Sequence, residues 1–557
     1  MNSVTYRLGP PGGVRIRNPE SDRATLCAVQ AAAQGGDIVR ASALAERALA
    51  SGLEHPMLLN LAAIAQENAG RLPQAEATLR RALVLSPDDP GLLNALGLVL
   101  QRQERPEAAV AVFDAAIARA PDFTPAHANR ATALEASGDL VAAAAGYRHA
   151  LSLQPGQLVA TAGLASIASR RGDHPTARQL ATTVLAAEPG YPEAVMALAT
   201  AELAERQFDA AEARLRAFAA DPRPSPPQRA AAETLRGDVL HAAGRYPAAF
   251  AAWRAGNDLL RRTYAASYAG DGDTLAYTER LLAYFTGPAA AVWATSPRVA
   301  VHGPAAAHVF LIGFPRSGTT LLEQVLASNP AVVALEERET LIDGVRDYLR
   351  TPADLDRLAT AGPAELDRLR AAYWQRVAEA GADPAGRVFV DKHPLNTLKL
   401  PLIARLFPDA LILVARRDPR DVVLSCFRRR FRMSAPMFQF VALDTSARFY
   451  DAMMRLAASL EQRLGLRQHV VVHEALVGNF DAEVQAVCAA IGIDWTPAMR
   501  DFADRIRDRS IATPSGAQLA GGLSRDGIGQ WRHYTAEMAG IMPILMRWVA
   551  RFGYDAT

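Results

Sequence analysis

H-V-F-L-I-G-F-P-R-S-G-T-T-L-L-E-Q-V-L, His308 to Leu326, decides how the second half of the chain folds. The near-continuous apolar run His308 to Phe314 predicts a strand buried on both faces, and Leu321 to Leu326 predicts the start of the helix that follows. Between them lies G-F-P-R-S-G-T-T, Gly313 to Thr320. A glycine-rich turn from strand to helix directs backbone N–H groups and a helix N-terminus at one place, which suits phosphate or sulfate. The spacing Gly313 to Gly318 is that of a Walker A loop, but Thr319 stands where the lysine belongs. Arg316, inside the loop, offers a cation from another direction.

A second buried strand is expected at Ala410 to Ala415, A-L-I-L-V-A, leading into R-R-D-P-R-D-V-V-L-S, Arg416 to Ser425. Arg417 falls at the strand end and Ser425 about two helical turns further on, so both can reach one further phosphate. Parallel sheets bind ligands at the carboxyl ends of their strands, where both loops fall.

The first half is periodic. Pro87, Pro121, Pro155 and Pro189 are spaced by 34, and so are Ala75, Ala109, Ala143, Ala177 and Ala211. A bulky residue follows four positions after the small one in Ala75/Leu79, Ala109/Phe113 and Ala143/Tyr147. That spacing puts small and bulky groups on one helical face, and the proline stops the helix. Units ending near Gly52 and containing Gly237, Ala249 and Trp253 extend the series, which gives about seven units between residues 22 and 265. The pattern resembles the tetratricopeptide repeat, with Leu96-Gly97 as the Leu-Gly pair of a first helix, and with Leu59, Leu93 or His127 in place of the early Trp. Such a solenoid offers a groove for a peptide or partner protein.

Composition bounds these readings. The 557 residues are too many for one core, and 50% hydrophobic with 21% charged residues exclude a disordered chain. Sixty Lys plus Arg against 58 Asp plus Glu leave a net charge of +2, which removes the bulk argument for nucleic-acid binding. The run F-R-R-R-F-R, Phe427 to Arg432, reads as a cofactor-mouth or acidic-substrate surface rather than an RNA site. Cys27, Cys426 and Cys488 have no C-x-x-C spacing, so no zinc site or disulfide framework is expected, and the implied compartment is a reducing cytoplasm. The N-terminus lacks the apolar core of a signal peptide, and no stretch gives 18 unbroken apolar residues. His469, His473 and Tyr450 have no spacing signature and are expected in core or surface roles.

The two loops together resemble the sulfotransferases that use 3′-phosphoadenosine 5′-phosphosulfate (PAPS), over residues 306–540, and the fusion to tetratricopeptide repeats is similar to a known bacterial group. The resemblance implies an α/β parallel-sheet domain at 306–557 after a repeat solenoid at 22–265 and a helical linker at 266–305. It implies that Arg316, Ser317, Gly318, Thr319 and Thr320 hold the phosphosulfate and that Arg417 and Ser425 hold the 3′-phosphate. A-L-E-E-R-E, Ala334 to Glu339, and D-K-H-P around Lys392 resemble the tyrosylprotein branch, which implies Glu337 as base and Lys392 with Arg316 as charge-stabilising groups. His393 is one residue out of register for a histidine base. The late segment resembles the family's closing loop, with Ser515 and Trp531 at the expected spacing. Gln530 replaces a basic residue there, and Arg525 or Arg532 is the substitute. No metal is required.

The implied reaction is sulfuryl transfer to a hydroxyl of a protein tyrosine, a saccharide or a small molecule, with the repeats recruiting the acceptor and a homodimer as one state. A P-loop nucleotide kinase, and a non-catalytic scaffold with a degenerate domain, remain the alternatives.

Overall fold

The computed structural model describes residues 19–268, 270, 273–295, 303–503 and 522–555. The described chain divides into two compact units, at Leu198/Ala199. The first consists of helical hairpins: α1 (Pro19–Gln34) with α2 (Ile38–Ala50), α3 (Pro56–Asn68) with α4 (Leu72–Leu85), α5 (Pro90–Arg102) with α6 (Pro106–Arg119), α7 (Thr124–Ala136) with α8 (Leu140–Leu153), and α9 (Leu158–Arg170) with α10 (His174–Ala187). Ala75, Ala109, Ala143 and Ala177 are completely buried, as are Phe113 and, nearly so, Leu79 and Tyr147. The small residue admits the neighbouring helix and the bulky one fills the space beside it. The turns repeat with the same period: Gly36, Gly70, Glu104, Gly138 and Gly172 all have positive φ. Asp37, Asp139 and Asp173 follow three of these and cap the next helix through its N3 N–H.

The hairpin series continues through α11 (Pro192–Ala204), α12 (Phe208–Ala220), α13 (Pro226–Ala242) and α14 (Tyr246–Tyr268). Fold class is therefore as the sequence predicts: a tetratricopeptide solenoid followed by a parallel-sheet α/β domain. α12 to α14 nevertheless belong to the same compact unit as the sheet. Leu240, Phe250 and Trp253 share one hydrophobic core with Phe310 and Ile312 of the sheet and with Phe427 and Tyr534. The stretch at 266–305, expected as a linker, carries α15 (Thr274–Thr286), whose Leu281, Leu282 and Phe285 enter that core. Apolar periodicity marked the helix, and tertiary burial makes it part of the domain rather than a connection.

The sheet comprises β1 (Ala307–Gly313), β2 (Val332–Glu336), β3 (Val388–Lys392), β4 (Leu411–Arg416) and β5 (Arg467–Val472), all parallel, in the order β2-β3-β1-β4-β5. The crossovers contain α16 (Thr319–Ala327), then α17 (Ile342–Tyr348), α18 (Pro352–Ala359) and α19 (Pro363–Glu379), then α20 (Leu400–Leu406), then α21 (Pro419–Arg428), α22 (Ala435–Phe438) and α23 (Leu443–Leu464). After β5 come α24 (His473–Gly478) and α25 (Phe480–Ile491). Alternate residues of β1 serve opposite cores: Phe310 and Ile312 face the one shared with α13 and α14, while Val309 and Leu311 face α16 and α25. With both faces covered, functional groups are confined to the strand ends. The chain leaves β1 toward β2 and β3 on one side and returns to β4 on the other, so the crevice opens beside β1.

Trp253 is 1% exposed and joins the last hairpin to the sheet's core. Trp253→Ala is expected to cost about 3–5 kcal/mol. Denaturant unfolding followed by a probe in the sheet domain should show the loss there; a loss confined to helical signal would contradict the shared core.

Candidate functional site

Every strand of the sheet delivers a residue to one cleft of about 540 Å³ at the carboxyl edge. The loop after β1 supplies Arg316, Gly318, Thr319 and Thr320, β2 leads to Glu337, β3 to His393, β4 to Arg417 and β5 to His473. α21 adds Asp421, Ser425, Arg428 and Arg429, and the late segment adds Ser524, Asp526, Gly527 and Gln530.

The loop is shaped by two left-handed residues, Arg316 (φ 72°) and Gly318 (φ 96°). Gly318 is the N-cap of α16, and a Cβ there would lie 2.8 Å from His473 Nδ1, so only glycine fits. Helix α16 begins at Thr319, directing its first N–H groups at the cleft. Ser317 is buried, and its N–H closes the turn on the Phe314 carbonyl at 3.1 Å. Positive φ is costly for any residue with a Cβ, so Arg316 holds backbone strain of the kind that concentrates at binding sites.

Arg316 Nε donates to Ser425 Oγ at 3.1 Å, and the Arg316 carbonyl accepts from Arg417 Nη1 at 3.1 Å. The two sequence motifs are thus joined directly. Burial and the neighbouring Arg429 and Arg417 push the Arg316 guanidinium down to about 9, still cationic at neutral pH. Burial likewise lowers Arg428, with Asp238 opposing. The Nε atoms of Arg417 and Arg428 are buried without a hydrogen-bond partner. His473, beside them, is held near 3 by burial and by Arg417 and Arg316, so it is a neutral ring, and its Nδ1 has no partner. Four guanidiniums and the imidazoles of His241, His393 and His473 therefore share the cleft with three carboxylates, Glu337, Asp421 and Asp526. Asp421 is engaged in structure: it accepts from Gly529 N–H at 2.6 Å and Trp531 N–H at 3.0 Å.

Across the cleft, Glu337 takes φ 41°, its N–H bonded to the Lys392 carbonyl at 2.8 Å. Its Oε1 accepts from Lys392 Nζ, also at 2.8 Å. Lys392 is completely buried, with Glu323 at 3.2 Å and Glu336 at 3.6 Å as further partners. Burial alone would lower its ammonium, but Glu323, Glu337 and Glu336 outweigh burial and raise it. Burial raises Glu323, with Lys392 opposing. Beside this group, His393 Nε2 lies 3.1 Å from Glu339, which also pairs with Lys399 at 2.6 Å.

These positions revise several expectations. Lys392 lies beneath Glu337 rather than on the cleft surface, because three carboxylates draw its ammonium into the protein. Arg525 has its guanidinium beside Gly478, while its neighbours Ser524 and Asp526 line the cleft. Arg532 stacks over Trp531, 4.9 Å from the ring centroid. Ser515 lies outside the described residues. Arg428 and Arg429, from the run expected at a cofactor mouth or acidic-substrate surface, line the cleft, and so do His241 of α13 and His473, which were not expected there. The place of His473 directly after β5 was the available signal; nothing in the sequence marks His241. Among the described residues no group of three or more His, Cys, Asp or Glu is placed to hold a metal ion, and no helix is long and apolar enough to cross a membrane.

Comparison with known proteins agrees with this anatomy. Residues 308–497 match the Sulfotransferase family, and residues 28–90, 94–157 and 168–235 match the Tetratricopeptide repeat. Protein-tyrosine sulfotransferase 2 of Gallus gallus is 24% identical over 268 residues, 44% of this chain and 69% of that protein. Nodulation protein NoeE of Sinorhizobium fredii is 28% identical over 216 residues, 33% of this chain and 50% of that protein, so the chain spans only half of that relative. The sulfotransferase domain from the Synechococcus PCC 7002 olefin synthase aligns over 47% of this chain and 98% of its own, at 19% identity and a TM-score of 0.34. The chain thus joins tetratricopeptide repeats to a sulfotransferase-family domain.

Proposed function

We propose that the protein transfers a sulfuryl group from PAPS to an acceptor hydroxyl, and that the repeats recruit the acceptor. The observation that carries this reading is the cluster Arg316, Arg417, Arg428 and Arg429 around a phosphate-type loop that has Thr319 in place of the Walker lysine. Guanidiniums crowded in a partly buried cleft, two with unpartnered Nε atoms, suit a ligand with several anionic groups. The residues fit the donor: the N–H groups of Gly318, Thr319 and Thr320 and the Arg316 side chain would hold its phosphosulfate, and Arg417 and Ser425 its 3′-phosphate.

The donor supplies an already activated sulfuryl group, so the chain's residues position and stabilise rather than form a covalent intermediate. The acceptor oxygen bonds to sulfur as the bond from sulfur to the bridging phosphate oxygen breaks; the acceptor proton passes to Glu337, and adenosine 3′,5′-bisphosphate leaves. Transfer of this loose, in-line type depends mainly on alignment and charge stabilisation. Arg316 and the N-terminus of α16 stabilise negative charge on the leaving phosphate. Glu337 faces the cleft from the next-but-one strand, and its left-handed backbone and bond to Lys392 hold its carboxylate there. Lys392 is thereby a positioning residue for Glu337.

Glu337→Gln is expected to lower kcat by about 10²–10⁴-fold while affinity for adenosine 3′,5′-bisphosphate stays within about twofold. Steady-state rates on an acceptor found by screening tyrosine peptides, saccharides and phenols check this; wild-type turnover would remove Glu337 from the base role. The recruiting role is tested by a chain lacking residues 1–190, which keeps the compact unit containing the sheet. It should bind the bisphosphate as the full chain does but label fewer acceptors from ³⁵S-PAPS in a cell lysate. An unchanged labelling pattern would contradict recruitment.

A further inference from the structure

The end of α21 is held by the last repeat hairpin at every turn. Asn257 Nδ2 of α14 donates to the Phe427 carbonyl at 2.9 Å, and the Phe250 ring stacks on Phe427 with centroids 5.2 Å apart. Trp253 lies under the Arg428 guanidinium, 4.4 Å from its centroid. Asp238 of α13 completes the grip: its Oδ2 accepts from Arg429 Nη1 at 3.1 Å, and its Oδ1 lies 3.8 Å from Arg428 Nη2. One turn further on, His241 Nδ1 and Tyr534 Oη are 2.6 Å apart, and His241 itself lines the cleft.

A docking contact between a helix pair and a domain needs none of this to face a ligand. Here both arginines that Asp238 holds also line the arginine-rich cleft, and Arg429 lies just past the end of α21, where no helical backbone fixes its direction. A free arginine side chain gives up rotamer entropy when it is ordered on a ligand. A fixed carboxylate that orders it beforehand removes much of that cost. The opposing effect, partial neutralisation by Asp238, is limited because one carboxylate is shared between two guanidiniums.

We propose that Asp238, a residue of the repeat domain, is a positioning residue of the anion site: it aims Arg429, and with it Arg428, at an anionic group of the bound molecule. The last repeat is then part of the binding site as well as part of a recruiting surface. The inference deepens the donor reading above and rests on it for the identity of that molecule.

Calorimetric titration with adenosine 3′,5′-bisphosphate, and separately with pyrophosphate, tests it on the full chain. Asp238→Asn, nearly isosteric, should weaken bisphosphate binding about tenfold, and Asp238→Glu should restore most of the loss. In an Arg429→Ala background the same Asn substitution should cost less than about threefold, because the effect passes through Arg429. An undiminished tenfold loss in that background marks a general structural effect and overturns the proposal. Unchanged or tighter binding in Asp238→Asn alone overturns it too, leaving the donor reading intact. If the bisphosphate fails to bind but pyrophosphate binds and responds to Asp238→Asn, the donor reading falls and the positioning role stands. Binding of neither overturns both.

Discussion

Like charges gathered in one cleft are the constraint on which the rest of this structure depends. Two guanidiniums 4 Å apart repel by about 4 kcal/mol at an effective dielectric constant of about 20. Arg316, Arg417, Arg428 and Arg429 surround the same space, and burial, with the neighbouring guanidiniums adding to it, lowers Arg316 and Arg428. The fold must hold them together without the ligand. It does so with oxygen acceptors set among them: Ser425 for Arg316, the Arg316 and Gly527 carbonyls for Arg417, and Asp238 for Arg429.

The frame that resists this repulsion is a sheet covered on both faces. Parallel strands with apolar residues on each side place their ends, and the loops after them, with little freedom, so the phosphate-type loop and Arg417 keep their separation. The second core, behind β1 and β4, includes α16 and α25, and anchors the loop from below. The first core reaches through Phe250 and Trp253 into the last repeat hairpin. The opposite wall solves a different electrostatic problem: three carboxylates converge on Lys392, and only Glu337 among them lines the cleft.

Much of this was legible in the sequence, for physical reasons that differ from place to place. The 34-residue step survives because each hairpin must repeat the same small-to-bulky contact, and the strands β1 and β4 stand out because burial on both faces demands an apolar run. The expected strands at 308–314 and 410–415 each lie within one residue of the observed Ala307–Gly313 and Leu411–Arg416. The loop and the Arg417 to Ser425 spacing were readable because local backbone geometry sets them. Hidden from sequence were contacts between distant segments: Asp238 with Arg429 is 191 residues apart, and Tyr534 with His241 is 293. The burial of Lys392 was hidden for the same reason, since Glu323, on a helix, meets it only in the folded sheet. α15 looked like a linker because its periodicity says that it has an apolar face and not what covers that face.

The proposed donor site calls for a bisphosphorylated nucleotide rather than a metal-bound triphosphate. Parallel calorimetric titrations of the unmodified chain with adenosine 3′,5′-bisphosphate and with ATP plus Mg²⁺ test it most directly. Micromolar binding of the bisphosphate is expected, with at least about a hundredfold weaker binding of Mg-ATP, a difference of about 2.7 kcal/mol. Equal or tighter binding of Mg-ATP would contradict it.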